Sequence, residues 1–93
     1  MFARVSTYTP GPQSTGAPSE ETIERVLDMP GCRGIYYLFA RDTSLSVTLW
    51  ADENALKGSH QAADRIRDET SAEQGMTVRS VEEFEVLTSR LNE

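Results

Sequence analysis

The stretch SVTLWADENAL, Ser46 to Leu56, holds the end of a strand and the start of a helix with almost nothing between them. Val47 and Leu49 alternate with Ser46, Thr48 and Trp50, which is the period of two of a β-strand. The alternation stops at Trp50, the only tryptophan of the chain. Asp52 follows, a residue whose carboxylate accepts from free backbone N–H groups in a first helical turn. Downstream, Ala55, Leu56, Ala62, Ala63 and Ile66 form an apolar side, with Asp64, Arg65, Arg67, Asp68 and Glu69 largely elsewhere. Gly58-Ser59 is where this helix is expected to kink or divide, and Gly75 is where it is expected to end.

Upstream lies GIYYLFA, Gly34 to Ala40, a continuous apolar and aromatic run, and then the turn cluster RDTS. A tight turn centred on Asp42-Thr43 places Tyr36, Leu38 and Ala40 on one face with Leu45, Val47 and Leu49. The other face takes Ile35, Tyr37 and Phe39 with Ser46, Thr48 and Trp50. Both faces are substantially apolar, whereas a sheet with one face in water alternates more cleanly. Helices are expected to cover one face. A chain of 93 residues is too short to cover the other, so a second copy is expected there, giving a homodimer through the sheet face.

The flanks complete the order. MFARVSTYT reads as a first strand, Phe2 to Thr9, ending at Pro10. PGPQSTGAPS breaks regular structure and is expected to be mobile from Pro12 to Ala17. Ser19 is a suitable N-cap; Glu20 and Glu21 suit the positive end of a helix dipole. Ile23, Val26 and Leu27 give a short helix one stripe, and Pro30-Gly31 stops it. MTVRSVEEFEVL is the last strand, with Val78, Phe84 and Val86 expected inward. Val81 is out of phase with Phe84, which suggests a bulge near Glu82-Glu83. Glu82, Glu83 and Glu85 read as the solvated side of an edge strand. The tail, residues 88–93, reads as frayed. The order β-α-β-β-α-β is the ferredoxin-like plait, an α+β fold with a four-stranded antiparallel sheet, here as one domain over residues 1–93.

MFARVSTY, PGCRGIYYL, SVTLWADENAL and SHQAADRIRDE, in this spacing, resemble the antibiotic-biosynthesis-monooxygenase-like family of dimeric α+β barrels. The resemblance covers nearly the whole chain. It implies a homodimer whose two sheets face each other, and an aromatic residue closing the third strand, which makes Trp50 an architectural residue. The family includes cofactor-independent oxygenases of aromatic polyketides and haem-degrading oxygenases. The haem degraders use an asparagine in the first strand, a tryptophan within the long helix and a histidine further along it. Those positions fall here on Ser6, near Ser59 and near Glu69, so no haem site is expected. The approach to the first helix is shortened, which reduces the roof over any pocket. The resemblance thus implies a cofactor-independent monooxygenase or a binder of a small aromatic ligand. The alternative is a non-catalytic dimeric module whose core is filled by its own side chains.

Composition narrows the partners. The formal net charge of -6 and the scattered basic residues disfavour nucleic acid. One cysteine, Cys32, forms no internal disulfide, and no Cys/His spacing suggests a metal. No apolar run approaches a membrane span, and the reading is of a soluble, cytoplasmic protein needing no cofactor. Trp50, Tyr36, Tyr37 and Phe39 are the candidate ligand-binding residues. Trp50 would stack on a flat ligand, or fill the sheet–helix junction. Tyr36 and Tyr37 point to opposite faces, so only one of them can donate to a ligand in a given pocket. His60 and Tyr37 are the candidate catalytic residues: His60 as a base for a dihydroxyaromatic, Tyr37 as a proton donor. The competing reading of His60 is a solvated flank of the helix, and of Tyr37 a packed core tyrosine.

Overall fold

The structure is a computed structural model that describes residues 1–12, 14 and 18–92. Most of the segment expected to be mobile, from Pro12 to Ala17, lies outside the described residues. The chain runs β1 (Phe2–Thr9), α1 (Glu20–Leu27), β2 (Cys32–Ala40), β3 (Thr43–Trp50), α2 (Glu53–Gly58), α3 (His60–Gln74) and β4 (Thr77–Glu85). The strands form one antiparallel sheet in the order β2-β3-β1-β4, so β1 and β3 are central and β2 and β4 are the edges. This is the ferredoxin-like α+β plait, with the second helix of the plait divided into α2 and α3.

Local chemistry sets the helix ends. The Ser19 hydroxyl accepts from the Thr22 N–H at 3.3 Å and opens α1. The Asp52 carboxylate accepts from the Ala55 N–H at 2.8 Å and opens α2. The division falls at Ser59, whose Oγ donates back to the Leu56 carbonyl at 2.7 Å. Gly75 ends α3 with φ 67, a left-handed conformation that costs glycine no Cβ clash. On α1 the buried pair is Thr22 and Val26, with Ile23 half-buried and Leu27 44% exposed, so the stripe is rotated from the expected one.

The two faces of the sheet follow the pairing. Ala40 pairs with Thr43, which leaves Arg41 and Asp42 as the connection, one residue earlier than the expected centre. Leu38–Leu45 and Tyr36–Val47 then share one face, and Tyr37–Ser46 and Ile35–Thr48 the other, as the alternation implies. Each edge strand carries one extra residue. Arg33 is unpaired between Cys32 and Gly34, and Arg79 between Val78 and Ser80. The bulge in β4 is therefore at Arg79 and not at Glu82-Glu83. It brings Val78 and Val81 onto the same face, opposite Tyr8 and Ser6, and leaves Phe84 on the other face beside Ala3. Phe84 is accordingly half exposed rather than inward.

Helices cover the face that carries Arg4, Ser6, Tyr8, Tyr37, Ser46 and Trp50. Its buried apolar members and partners are Trp50, Tyr8, Val26, Leu56 and Ile66. Arg4, Ser6, Ser44, Ser46 and Thr70 are as deeply buried. Val5, Leu45, Val47 and Leu49 line the opposite face, flanked by Tyr36, Leu38 and Phe84, each about half exposed. No helix among the described residues is long and apolar enough to cross a membrane.

Candidate functional site

Between sheet and helices lies a hollow of about 40 Å³. Its floor is the sheet: Arg4, Ser6 and Tyr8 from β1, Ile35 and Tyr37 from β2, and Ser46, Thr48 and Trp50 from β3. Its roof is Val26 and Met29 from α1 and the loop after it, with Ala63, Ile66, Arg67 and Thr70 from α3. Two arginines and several hydroxyl groups reach it. Among the described residues no carboxylate or imidazole lines it.

Trp50 is part of the lining of this hollow. It is completely buried, and its indole N–H donates to Thr48 Oγ1 at 3.0 Å. The Arg4 guanidinium lies over its ring with Cζ 5.4 Å from the centroid, within cation–π range. Arg4 is 3% exposed although it carries a full charge. Its Nε and Nη2 donate to Glu83 Oε2, each at 3.2 Å. Nη2 also donates to the Leu56 carbonyl and to Ser59 Oγ, each at 3.0 Å. The break between α2 and α3 thus supplies two of the acceptors that hold a buried charge. Arg4 Nη1 is buried and has no hydrogen-bond partner among the described residues. Burial pushes the Arg4 pKa below its ordinary value, the Glu83 contacts push it back up, and the nearby Arg67 charge lowers it further.

Arg67 approaches from α3. Its Nε donates to Ser6 Oγ at 3.2 Å and its Nη1 to Asp64 at 2.6 Å. Tyr8 and Ser46 join their hydroxyls at 3.1 Å across the β1–β3 pair. Tyr37 is pushed up to about 12, by burial first and by the neighbouring Tyr8 second. At neutral pH it is therefore a protonated hydroxyl, able to donate and unable to act as a base.

Among the five candidate residues, the structure brings Trp50 and Tyr37 together in the hollow. Tyr36 stands on the open face, 47% exposed. Phe39 lies near the hairpin, 56% exposed and outside the lining. His60 is the first residue of α3 and also lies outside the lining. Its Nε2 is 2.6 Å from Glu83 Oε2, the oxygen that Arg4 also binds. Glu83 is thus not simply a solvated edge residue; it is the counterion of a buried arginine. Among the described residues no group of three or more His, Cys, Asp or Glu side chains is placed to hold a metal.

Sequence reasoning passed over Arg4, Arg67 and Glu83. Arg4 did leave a signal. It is the one charged residue within FARVSTYT, in phase with Ser6 and Tyr8 rather than with Ala3 and Val5. A charge on the inward phase of a strand implies a buried partner. The partner, Glu83, is far away in sequence, and the bulge at Arg79 had to be placed before its face was known.

Comparisons with solved structures agree on the fold. The chain is similar to an asparagine-to-alanine variant of SnoaB, a cofactor-independent oxygenase from Streptomyces nogalater, at TM-score 0.66 and 18% identity, over 95% of this chain and 94% of that one. It is similar to a protein from Deinococcus radiodurans provisionally called an antibiotic biosynthesis monooxygenase, at TM-score 0.61 and 13% identity, over 99% and 97%. A third, from Chloroflexus aurantiacus and provisionally given the same name, matches at TM-score 0.57 and 11% identity, over 96% and 95%. No protein-family model and no curated protein matches the chain. The antibiotic-biosynthesis-monooxygenase-like fold inferred from the sequence is thereby shown.

Proposed function

We propose that the chain is a homodimeric domain that takes a small aromatic ligand between its sheet and its helices. One observation carries this reading: the interior that should be the driest part of a small core is lined by Arg4, Arg67, Ser6, Ser46 and Thr48 between aromatic walls. A core built only for stability uses apolar side chains at such positions, because a buried polar group adds little stability even when paired. A few polar groups converging between aromatic rings are the usual lining of a ligand site. The dimer is supported by the open face, where Tyr36, Leu38 and Phe84 stand beside Val5, Val47 and Leu49.

The lining offers donors and positive charge but no group that accepts a proton at neutral pH. A ligand entering the hollow would be oriented and, if acidic, ionised against the arginines. Oxygenation, which the SnoaB likeness suggests, would need a ligand acidic enough to ionise without a protein base. Native mass spectrometry of the purified protein tests the ligand directly, and a bound aromatic mass is expected. Its absence, with no rise in melting temperature from a panel of phenols and naphthols, would overturn the reading.

A second reading is a non-catalytic dimeric module with a self-filled core. The volume of about 40 Å³ favours it, since small-molecule sites run to several hundred cubic ångströms. The two readings part on motion. A ligand larger than a few atoms requires α1 and α3 to lift from the sheet, and an exposed ion pair, Arg25–Glu69 at 2.8 Å, joins those two helices. Hydrogen exchange of α1 that slows when a phenol is added supports the first reading. Exchange indifferent to every phenol supports the second.

A further inference from the structure

The hollow has an electrostatic bias that its size does not explain. In a chain of net charge -6, the described side chains lining it include two guanidinium groups and no carboxylate. Arg4 is 3% exposed and lines the hollow, and its Nη1 bears two N–H groups with no partner among the described residues. Every other polar edge of that guanidinium is used: Nε and Nη2 face Glu83, Leu56 and Ser59. Leaving a buried charged donor unpaired is costly, and such groups are rarely left so without a purpose. Arg67 brings a second charge over Ser6 and is held there by Ser6 and Asp64. The two arginines lie close enough to repel, which lowers the Arg4 pKa. An anion placed near both would relieve that repulsion and satisfy the unpaired donor in one step.

We propose that Arg4 and Arg67 form a binding site for the oxygen of a single carboxylate-type anion, with Arg4 Nη1 as its principal donor. The mode of contact follows from the bonds already made. Because Nε and Nη2 are engaged, Arg4 cannot grip both carboxylate oxygens along its fork. It offers the two N–H groups of Nη1 to one oxygen. The hydroxyls of Tyr37, Tyr8 and Ser46 in the same lining suit the second oxygen. Tyr37, pushed up to about 12, keeps its proton for this at neutral pH. A space of about 40 Å³ matches the size of an anion of a few heavy atoms, and a shift of the Arg4 side chain that uncovers its buried Nη1 brings donor and anion together. An aromatic carboxylate presents the same group and adds a ring against Trp50, but needs the helices to lift. The inference rests on the hollow assigned above as a ligand site, and is independent of whether the natural ligand is aromatic.

The single tryptophan makes the test direct. Arg4 sits 5.4 Å from its ring centroid, so neutralising that cation changes the indole emission. The full chain is titrated with sodium formate and, separately, with sodium benzoate, at constant ionic strength. Wild type should give a saturable change with formate. Arg4→Gln should abolish it, and Arg41→Gln, in the hairpin connection, should leave it unchanged. Should Arg4→Gln fail to fold by circular dichroism, Arg67→Gln decides: it retains the principal donor and should weaken binding about tenfold, the loss of one charge-assisted contact. Saturation by both anions supports this site and the aromatic reading together. Saturation by formate alone supports the site and removes the aromatic reading. Benzoate binding that survives the loss of Arg4 keeps the aromatic reading and overturns this site. No saturation by either anion, or a formate affinity unmoved in Arg67→Gln, overturns it as well.

Discussion

The two faces of one sheet invert the usual arrangement. Under the helices, where water is excluded, stand Arg4, Ser6, Ser44 and Ser46. On the open side stand Tyr36, Leu38 and Phe84, about half exposed, around Val5, Val47 and Leu49. The two central strands supply the whole polar set and, one residue apart, Val5, Val47 and Leu49 of the apolar one; Tyr36, Leu38 and Phe84 come from the edge strands. The polar side is covered by its own chain and the apolar side awaits a cover. The contrast separates two tasks: the open face is suited to association, and the covered face is suited to holding a polar group in a low-dielectric space.

Substitutions can break this contrast, and the largest effect is expected at Trp50. It is fully buried and supports both the sheet–helix junction and Arg4. Trp50→Ala should destabilise the fold by about 3–5 kcal/mol, the usual loss for a buried large aromatic. Trp50→Phe should recover most of it. Thermal unfolding decides, and an unchanged melting temperature for the alanine variant would make Trp50 a ligand wall rather than an architectural residue. A sharper effect on association is expected at the centre of the open face. Val47→Lys should weaken the dimer by about 2 kcal/mol or more, as charge buried at an interface centre does. Sedimentation at micromolar concentration should give twice the chain mass for the parent and a single chain mass for the variant. A monomeric parent would leave the open face unexplained.

Alkali should act on the covered face through Tyr37. Its folded pKa is raised to about 12, above the ordinary value near 10. The protonated phenol is favoured in the folded state, so its contribution is complete below pH 10. It is lost as the pH rises from 10 toward 12, where the unfolded chain binds fewer protons than the folded one. Melting temperatures across that window should fall less steeply in Tyr37→Phe; identical slopes would place the tyrosine in water. The smallest effect is expected at His60. Its bond to Glu83 is half exposed, and Arg4 keeps the same oxygen when the imidazole is gone. His60→Ala should cost no more than about 1 kcal/mol by urea unfolding. A larger loss would mean that His60 helps to hold Glu83 on Arg4.

Much of this contrast was legible in the sequence. The β2–β3 hairpin could be read because its connection is tight and the two strands run apolar on both phases, so the pairing places every side chain even with the turn centre misplaced by one residue. The break in the second helix was legible because glycine and serine fall together at 58 and 59, and the helix start because Asp52 follows the strand after a single residue, Ala51. The content of the covered face was not. Arg4 looks like an ordinary strand charge until its neighbours are counted, and its counterion Glu83 looks like one of several acidic residues on an edge. Which of those acids turns inward depends on the extra residue at Arg79, and a bulge has no residue signature as strong as a cap or a turn. Tyr36 and Tyr37 could be separated by parity alone, but the helix-bearing side could not be chosen from composition, because both sides are rich in aromatic and β-branched residues.

The placing of the two bulges has a consequence for how this fold tolerates change in length. Arg33 and Arg79 are spare residues, one on each outer strand, while the two inner strands pair without interruption over their shared register. Loss of one residue near either spare can be absorbed by closing the bulge, with every remaining side chain still on its own side. Loss of one residue within β1 or β3 has no such slack. It would turn half a strand over and carry Arg4 away from Glu83, or Trp50 away from Arg4. Insertions and deletions in relatives of this chain should therefore collect at the outer strands, and the inner pair should keep its length even where its residues differ.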